Sequence, residues 1–181
     1  MYRNLLLLPI LALPLLGCSS VTNMFSNPKV ACPVGRVVGD AAQVTRFRAG
    51  GGMTANDVAL NVTLAPPKVS CDYDPDEHTA ELKAQFPITL HAGPAATTGD
   101  QDFTYFVAVV DGNTNAILSR KDYRIPLSLA GLQTAVYAEE VENLELTVAR
   151  GKMPADYRVL VGFVLTPAEL AYNRTPHLPN Q

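Results

Sequence analysis

The sequence predicts an all-β fold, an antiparallel β-sandwich with one short C-terminal helix, and three observations carry that expectation. Between residues 33 and 165 apolar residues recur with a period of two rather than about 3.6. Clusters of Gly, Pro, Asn and Asp separate the runs into roughly seven to nine short strands. No helical segments alternate with them, which sets the pattern apart from a parallel α/β sheet. An immunoglobulin-like layout fits this pattern, although the chain contains no Trp and so lacks the buried Trp of antibody domains. A small β-barrel is the alternative.

The elements follow in order. Over residues 43–48 the alternation puts Val44, Arg46 and Arg48 on one face and Thr45 and Phe47 on the other. Val58, Leu60, Val62 and Leu64 alternate with Ala59, Asn61 and Thr63, and Pro66-Pro67 stops that run. Leu82, Ala84, Phe86, Ile88 and Leu90 alternate with polar residues and Pro87, whose missing N–H argues for an edge strand or a bulge. Phe103 to Val110 is apolar at nearly every position, as in a central strand covered on both faces. Asp111-Gly112-Asn113 tolerates positive φ, so the chain doubles back into a strand from about Ala116 to Leu129. Ala130 to Val141 is read as containing a helical turn. Leu144 to Val148 and Tyr157 to Leu165 alternate again and are expected to pair with each other. Thr166-Pro167-Ala168-Glu169 is a capping box with Pro at the first helical position, which predicts a helix from Pro167 to about Asn173.

The 181 residues suffice for one domain with its own core. With 48% hydrophobic and 17% charged residues, the chain has the apolar material to fold and is not a charge-rich disordered polymer. Its net charge of −3 leaves no electrostatic footprint for nucleic acid.

Residues 1–17 read as a targeting segment: Arg3, an apolar run from Leu5 to Leu16 interrupted by Pro9 and Pro14, and Gly17 before Cys18. The run is shorter than the roughly 20 residues that span a bilayer. Leu15-Leu16-Gly17-Cys18 looks like a bacterial lipobox, and that resemblance implies cleavage before Cys18 and lipid attachment to it. Ser19 stands where lipoproteins kept in the inner membrane often carry Asp, so the resemblance implies the outer membrane, facing the periplasm. Residues 18–31 then form the lipidated cysteine and a tether with a reach of roughly 20 Å as a flexible coil. Residues 32–175 form the domain and residues 176–181 a loose tail.

With Cys18 lipidated, Cys32 and Cys71 remain in an oxidising compartment and are expected to form one disulfide, closing a loop of about 40 residues. The scattered His78, His91 and His177 lack zinc-ligand spacing, and no metal or cofactor is implied. Asp72, Asp74, Asp76 and Glu77 suggest a calcium loop, but Glu77 stands where an EF-hand needs Gly and Lys83 where it needs Glu. A solvated hairpin turn is the reading. The chain has no nucleophile elbow, metalloprotease helix, phosphate loop or dinucleotide fingerprint, so a non-enzymatic role is expected.

Two places carry functional expectations. Arg46, Arg48 and the Gly50, Gly51 and Gly52 loop combine two guanidinium groups with exposed amides, a candidate for an anionic envelope ligand. Tyr172, Asn173 and Arg174 on the terminal helix are candidate contacts for an envelope protein partner; the competing reading is a helix that covers an open end of the sandwich.

Cys32-Pro33, Ala41-Ala42-Gln43-Val44-Thr45-Arg46-Phe47 and the run from Val161 to Arg174 (VGFVLTPAELAYNR) resemble a family of uncharacterised lipoproteins of alphaproteobacterial type. The resemblance covers the ends of the domain best, implies location and a shared fold, and carries no catalytic residue. The expectation is a lipid-anchored, periplasm-facing accessory or protein-interaction module, with binding of an anionic envelope ligand as the alternative.

Overall fold

A computed structural model describes residues 30–96 and 99–175. Cys18 with the targeting segment, most of the tether, and the tail with His177 lie outside the described residues. Among these residues are nine strands and one α-helix: β1 (Val34–Val37), β2 (Gln43–Phe47), β3 (Val58–Leu64), β4 (Lys68–Asp74) and β5 (Thr79–Ala92). Then come β6 (Gln101–Asp111), β7 (Ile117–Leu127), β8 (Thr134–Thr147), β9 (Tyr157–Phe163) and the helix α1 (Pro167–Arg174).

These strands form two packed open sheets, a β-sandwich rather than a barrel. Sheet A runs β1-β9-β6-β7, with β1 parallel to β9 and the other pairs antiparallel. In sheet B, β5 is central: β8 lies along one edge, and β3 and β4 lie end to end along the other, with β2 beyond β3. Strands adjacent in sequence are thus adjacent in this sheet, unlike the immunoglobulin layout, where the second strand lies beside the fifth.

The period of two does what the sequence predicts. Along β5 each even position is buried from Ala80 to Leu90, and Leu82, Ile88 and Leu90 are completely so. They face Tyr105, Val107, Val159 and Phe163 from sheet A in one core. Phe86 meets Tyr105 edge-on at 5.5 Å, and Tyr105 stacks on Tyr123 at 5.2 Å. Burial, with the Glu139 carboxylate beside it, pushes the Tyr105 phenol far above the usual tyrosine range. β6 is central, and its successive positions Val107 to Asp111 are all buried, as a strand covered on both faces requires.

Three expectations are corrected. Pro87 is on a central strand: its carbonyl accepts from Ala65 N at 3.1 Å, so its missing N–H faces the break between β3 and β4 at Pro66-Pro67, where no ladder bond is lost. β8 and β9 do not pair; β8 joins β5 and β9 joins β1 and β6, so their apolar faces meet across the core. Ala130 and Gly131 turn at positive φ and the chain enters β8 by Thr134, with no helical turn there.

The Cys32–Cys71 disulfide forms, with Cα atoms 5.6 Å apart, and joins the segment leading into β1 to β4 across the sheets. Cys32 and the start of β1 lie towards the end that holds the β4–β5, β6–β7 and β8–β9 turns. The β2–β3 and β7–β8 loops lie at the opposite end. The eleven residues of β6 put those ends about 35 Å apart at roughly 3.3 Å per residue.

The outer faces differ in charge. Sheet B presents Asp72, Asp74, Glu81, Glu140 and Glu145 with Lys68 and Lys83, whereas sheet A presents Arg36, Arg120, Arg124 and Arg158 with Asp102 and Asp122.

Candidate functional site

The β2–β3 loop is organised by a residue the sequence reading passed over. Asp57, only 5% exposed, accepts from Arg48 Nε at 2.7 Å, Thr54 Oγ1 at 2.6 Å and Thr54 N at 3.4 Å. Thr54-x-x-Asp57 is itself a capping-box spacing, the signal that points to it. Gly50 turns the chain at φ +73°, a conformation that favours glycine. At Gly51 a Cβ would lie 2.6 Å from Arg48 Cγ and 2.9 Å from Asp57 Oδ1, so the loop closes over the Arg48–Asp57 pair only with glycine there. The glycines that suggested an amide cradle serve this turn.

The Thr54 hydroxyl, with further help from Arg48, holds the Asp57 carboxyl below its usual range against the opposing effect of burial. A depressed carboxyl stabilises the fold above the unfolded-state value, and that contribution is lost as pH falls through the folded one. Asp57→Asn is therefore expected to lower the urea midpoint at neutral pH and to flatten its decline below about pH 4. An unchanged acid limb in urea titrations across that range would show that Asp57 does not carry this linkage.

The same end receives α1. Thr166 caps it, accepting from Glu169 N at 3.3 Å while Glu169 Oε2 accepts from Thr166 N at 2.8 Å. The other Glu169 oxygen lies 2.7 Å from Arg46 Nη1 as an ion pair rather than an aligned hydrogen bond. The Arg46 guanidinium also sits 5.5 Å from the centre of the Phe103 ring, at the margin of the core. Asn173 Nδ2 donates to the carbonyls of Asp40 at 2.9 Å and Gln43 at 2.8 Å, and Arg174 Nε donates to Asp40 Oδ2 at 2.7 Å. Tyr172 meets Phe47 edge-on at 5.1 Å. Tyr172, Asn173 and Arg174 therefore hold the helix along β2, which is the covering role set against partner contact.

The two places that the sequence kept apart are thus one neighbourhood, joined by Arg46–Glu169 and Phe47–Tyr172. Beside it opens a cavity of about 250 Å³ lined by Arg46, Phe47, Arg48, Leu60, Leu127 and Leu129. A second hollow of about 370 Å³ shares Leu129 and continues past Ala92, Gly131 and Leu132, a residue 58% exposed. The result is an apolar groove with two guanidinium groups at one rim, both already engaged by carboxylates. Its chemistry suits an apolar side chain or acyl segment.

The acidic residues 72–77 form a hairpin turn: Asp74 Oδ1 accepts from the amides of Asp76 at 2.9 Å and Glu77 at 3.0 Å. His91 contacts Thr134 Oγ1 at 3.0 Å on the outer face of sheet B. Among the described residues no group of three or more His, Cys, Asp or Glu is arranged to hold a metal ion. No protein-family model, curated protein or solved structure matches this chain, so what the groove does is argued from its own residues.

Proposed function

We propose that this chain is a lipid-anchored lipoprotein of the bacterial cell envelope, facing the periplasm, that works as a protein-interaction module rather than as an enzyme. The observation that carries the reading is the position of the groove, at the end of the sandwich remote from Cys32. A tether running to Cys18 would leave one end of the domain at the membrane and present the Leu129–Leu132 groove about 35 Å away, judged from strand length. The disulfide supports an oxidising compartment.

Since Tyr172, Asn173 and Arg174 are engaged in holding α1, partner contact belongs to the groove and its exposed Leu132 rather than to those three side chains. Cross-linking in intact cells followed by affinity recovery tests this. A reproducible partner is expected from the native chain, with recovery lost in Leu132→Asp and in Cys18→Ala. Equal recovery from Leu132→Asp would remove the groove as the contact.

The second reading, an anionic envelope ligand at Arg46 and Arg48, is favoured by the 59% exposure of the Arg48 side chain beyond its bond to Asp57. It predicts a salt-sensitive rise in Tm with an anionic glycan or headgroup.

A further inference from the structure

Exposed apolar residues of β1, β7 and the β8–β9 turn gather where the chain enters the domain. Val34 is 51% exposed, Ile117 63%, Leu118 51% and Met153 48%. The register sets Val34 and Ile117 beside a cation: Val34 lies beside Arg158, Arg158 opposite Val110, and Val110 opposite Ile117, in one row across four strands, with Leu118 the bulge residue next to Ile117. The next row on that face is Arg36, Leu160, Ala108 and Arg120. The acids on the sheet A side of this end are engaged, Asp122 by Arg120, Asp111 by Lys152 and Asp156 by the amide of Met153, while the acidic β4–β5 turn belongs to sheet B. The Arg158 guanidinium donates to the neutral Asn115 at 3.1 Å, with no carboxylate partner among the described residues.

We infer that this corner of the sandwich, Val34, Ile117, Leu118 and Met153 among Arg36, Arg120 and Arg158, docks on an anionic phospholipid surface. Each apolar side chain contributes burial in the interface and each arginine a modest attraction, and membrane association rests on such combined weak signals. What selects a bilayer as the occupant is where the chain leads. The segment preceding β1 joins this end, and a tether of thirteen residues reaching roughly 20 Å keeps the corner close to the membrane that holds Cys18. The charge asymmetry acts in the same sense, since the acidic outer face of sheet B is repelled by the surface that attracts sheet A. The inference rests on the lipid-tether reading for its effective concentration.

The absence of Trp from the chain permits a clean test. Ile117→Trp puts a single reporter at the corner, and Val136→Trp puts one on the outer face of sheet B, where Val136 is 64% exposed. Each full-length protein is incorporated in vesicles of brominated phosphatidylcholine, with or without phosphatidylglycerol. Ile117→Trp is expected to be quenched in the anionic vesicles and Val136→Trp in neither. Adding Arg36→Gln and Arg158→Gln is expected to lower the docked-to-free ratio about fivefold per arginine. Ile117→Trp that stays unquenched, Val136→Trp quenched as strongly, or a concentration-dependent shift without vesicles, which marks a second copy on this face, would each overturn the inference. The mass of the N-terminal peptide reads the tether separately. An unlipidated chain still quenched by added anionic vesicles keeps the docking and loses the tether, and a lipidated but unquenched chain does the reverse.

Discussion

A chain with Ala at both Cys32 and Cys71 is expected to unfold about 4 kcal/mol more easily than the oxidised native protein. The bridge closes a sequence separation of 39 residues, and most of its contribution comes from restricting the unfolded chain rather than from contacts in the fold. Restricting that chain also leaves it more compact. The urea transition of the double variant should therefore move to lower denaturant and steepen, with Tm falling by roughly 10 °C for a domain of this size. Because β1 is an edge strand of sheet A and the bridge ties it to β4, the loss should appear first in amide exchange along β1 and β4. A change below about 1 kcal/mol would mean that the unfolded chain already holds these segments together.

Phe163→Ala is expected to cost about 3 to 5 kcal/mol, the range for a fully buried aromatic truncated in a core that relaxes only partly. Phe163 is 2% exposed, and its ring lies 6.2 Å from that of Phe103. Phe103 in turn supports the Arg46 guanidinium that holds Glu169. The void therefore opens beneath the groove, and faster amide exchange in β2 should accompany the global loss. Phe163→Leu, which retains most of the volume, should keep most of the stability and the slow exchange. Equal losses for the two variants in denaturant titrations would show that volume at this position is not what matters.

Strands were legible in the sequence because their patterns are local: β3, β5 and β9 lie where the period of two puts them, and β6 where the unbroken apolar run does. The cap of α1 was legible for the same reason, since Thr166 and Glu169 are three residues apart. Pairing was not legible. Leu144 and Leu146 declare which side of β8 faces apolar surroundings, and that side is satisfied as well by β9 across the core as by β9 alongside. Pro87 misled because its lane partner is broken, a fact that resides at Pro66-Pro67. In the site, Arg46 and Arg48 were found by charge and their partners were not. Glu169 reaches Arg46 from the far end of the chain, whereas Asp57 was within reach of a capping-box search.

The parallel pairing of β1 with β9 bears on biogenesis. The first strand of the domain has its ladder partner only after the last strand has left the ribosome, and β6 lacks its β9 neighbour until then. Such distant contacts form slowly, because the long loop between them must be closed first. A chain cut short before Tyr157 retains an open edge on β6, apolar at most positions, and is a substrate for aggregation or proteolysis. The topology thus acts as a check on completeness: delivery of the C-terminal strand is what converts a nascent chain into a closed domain.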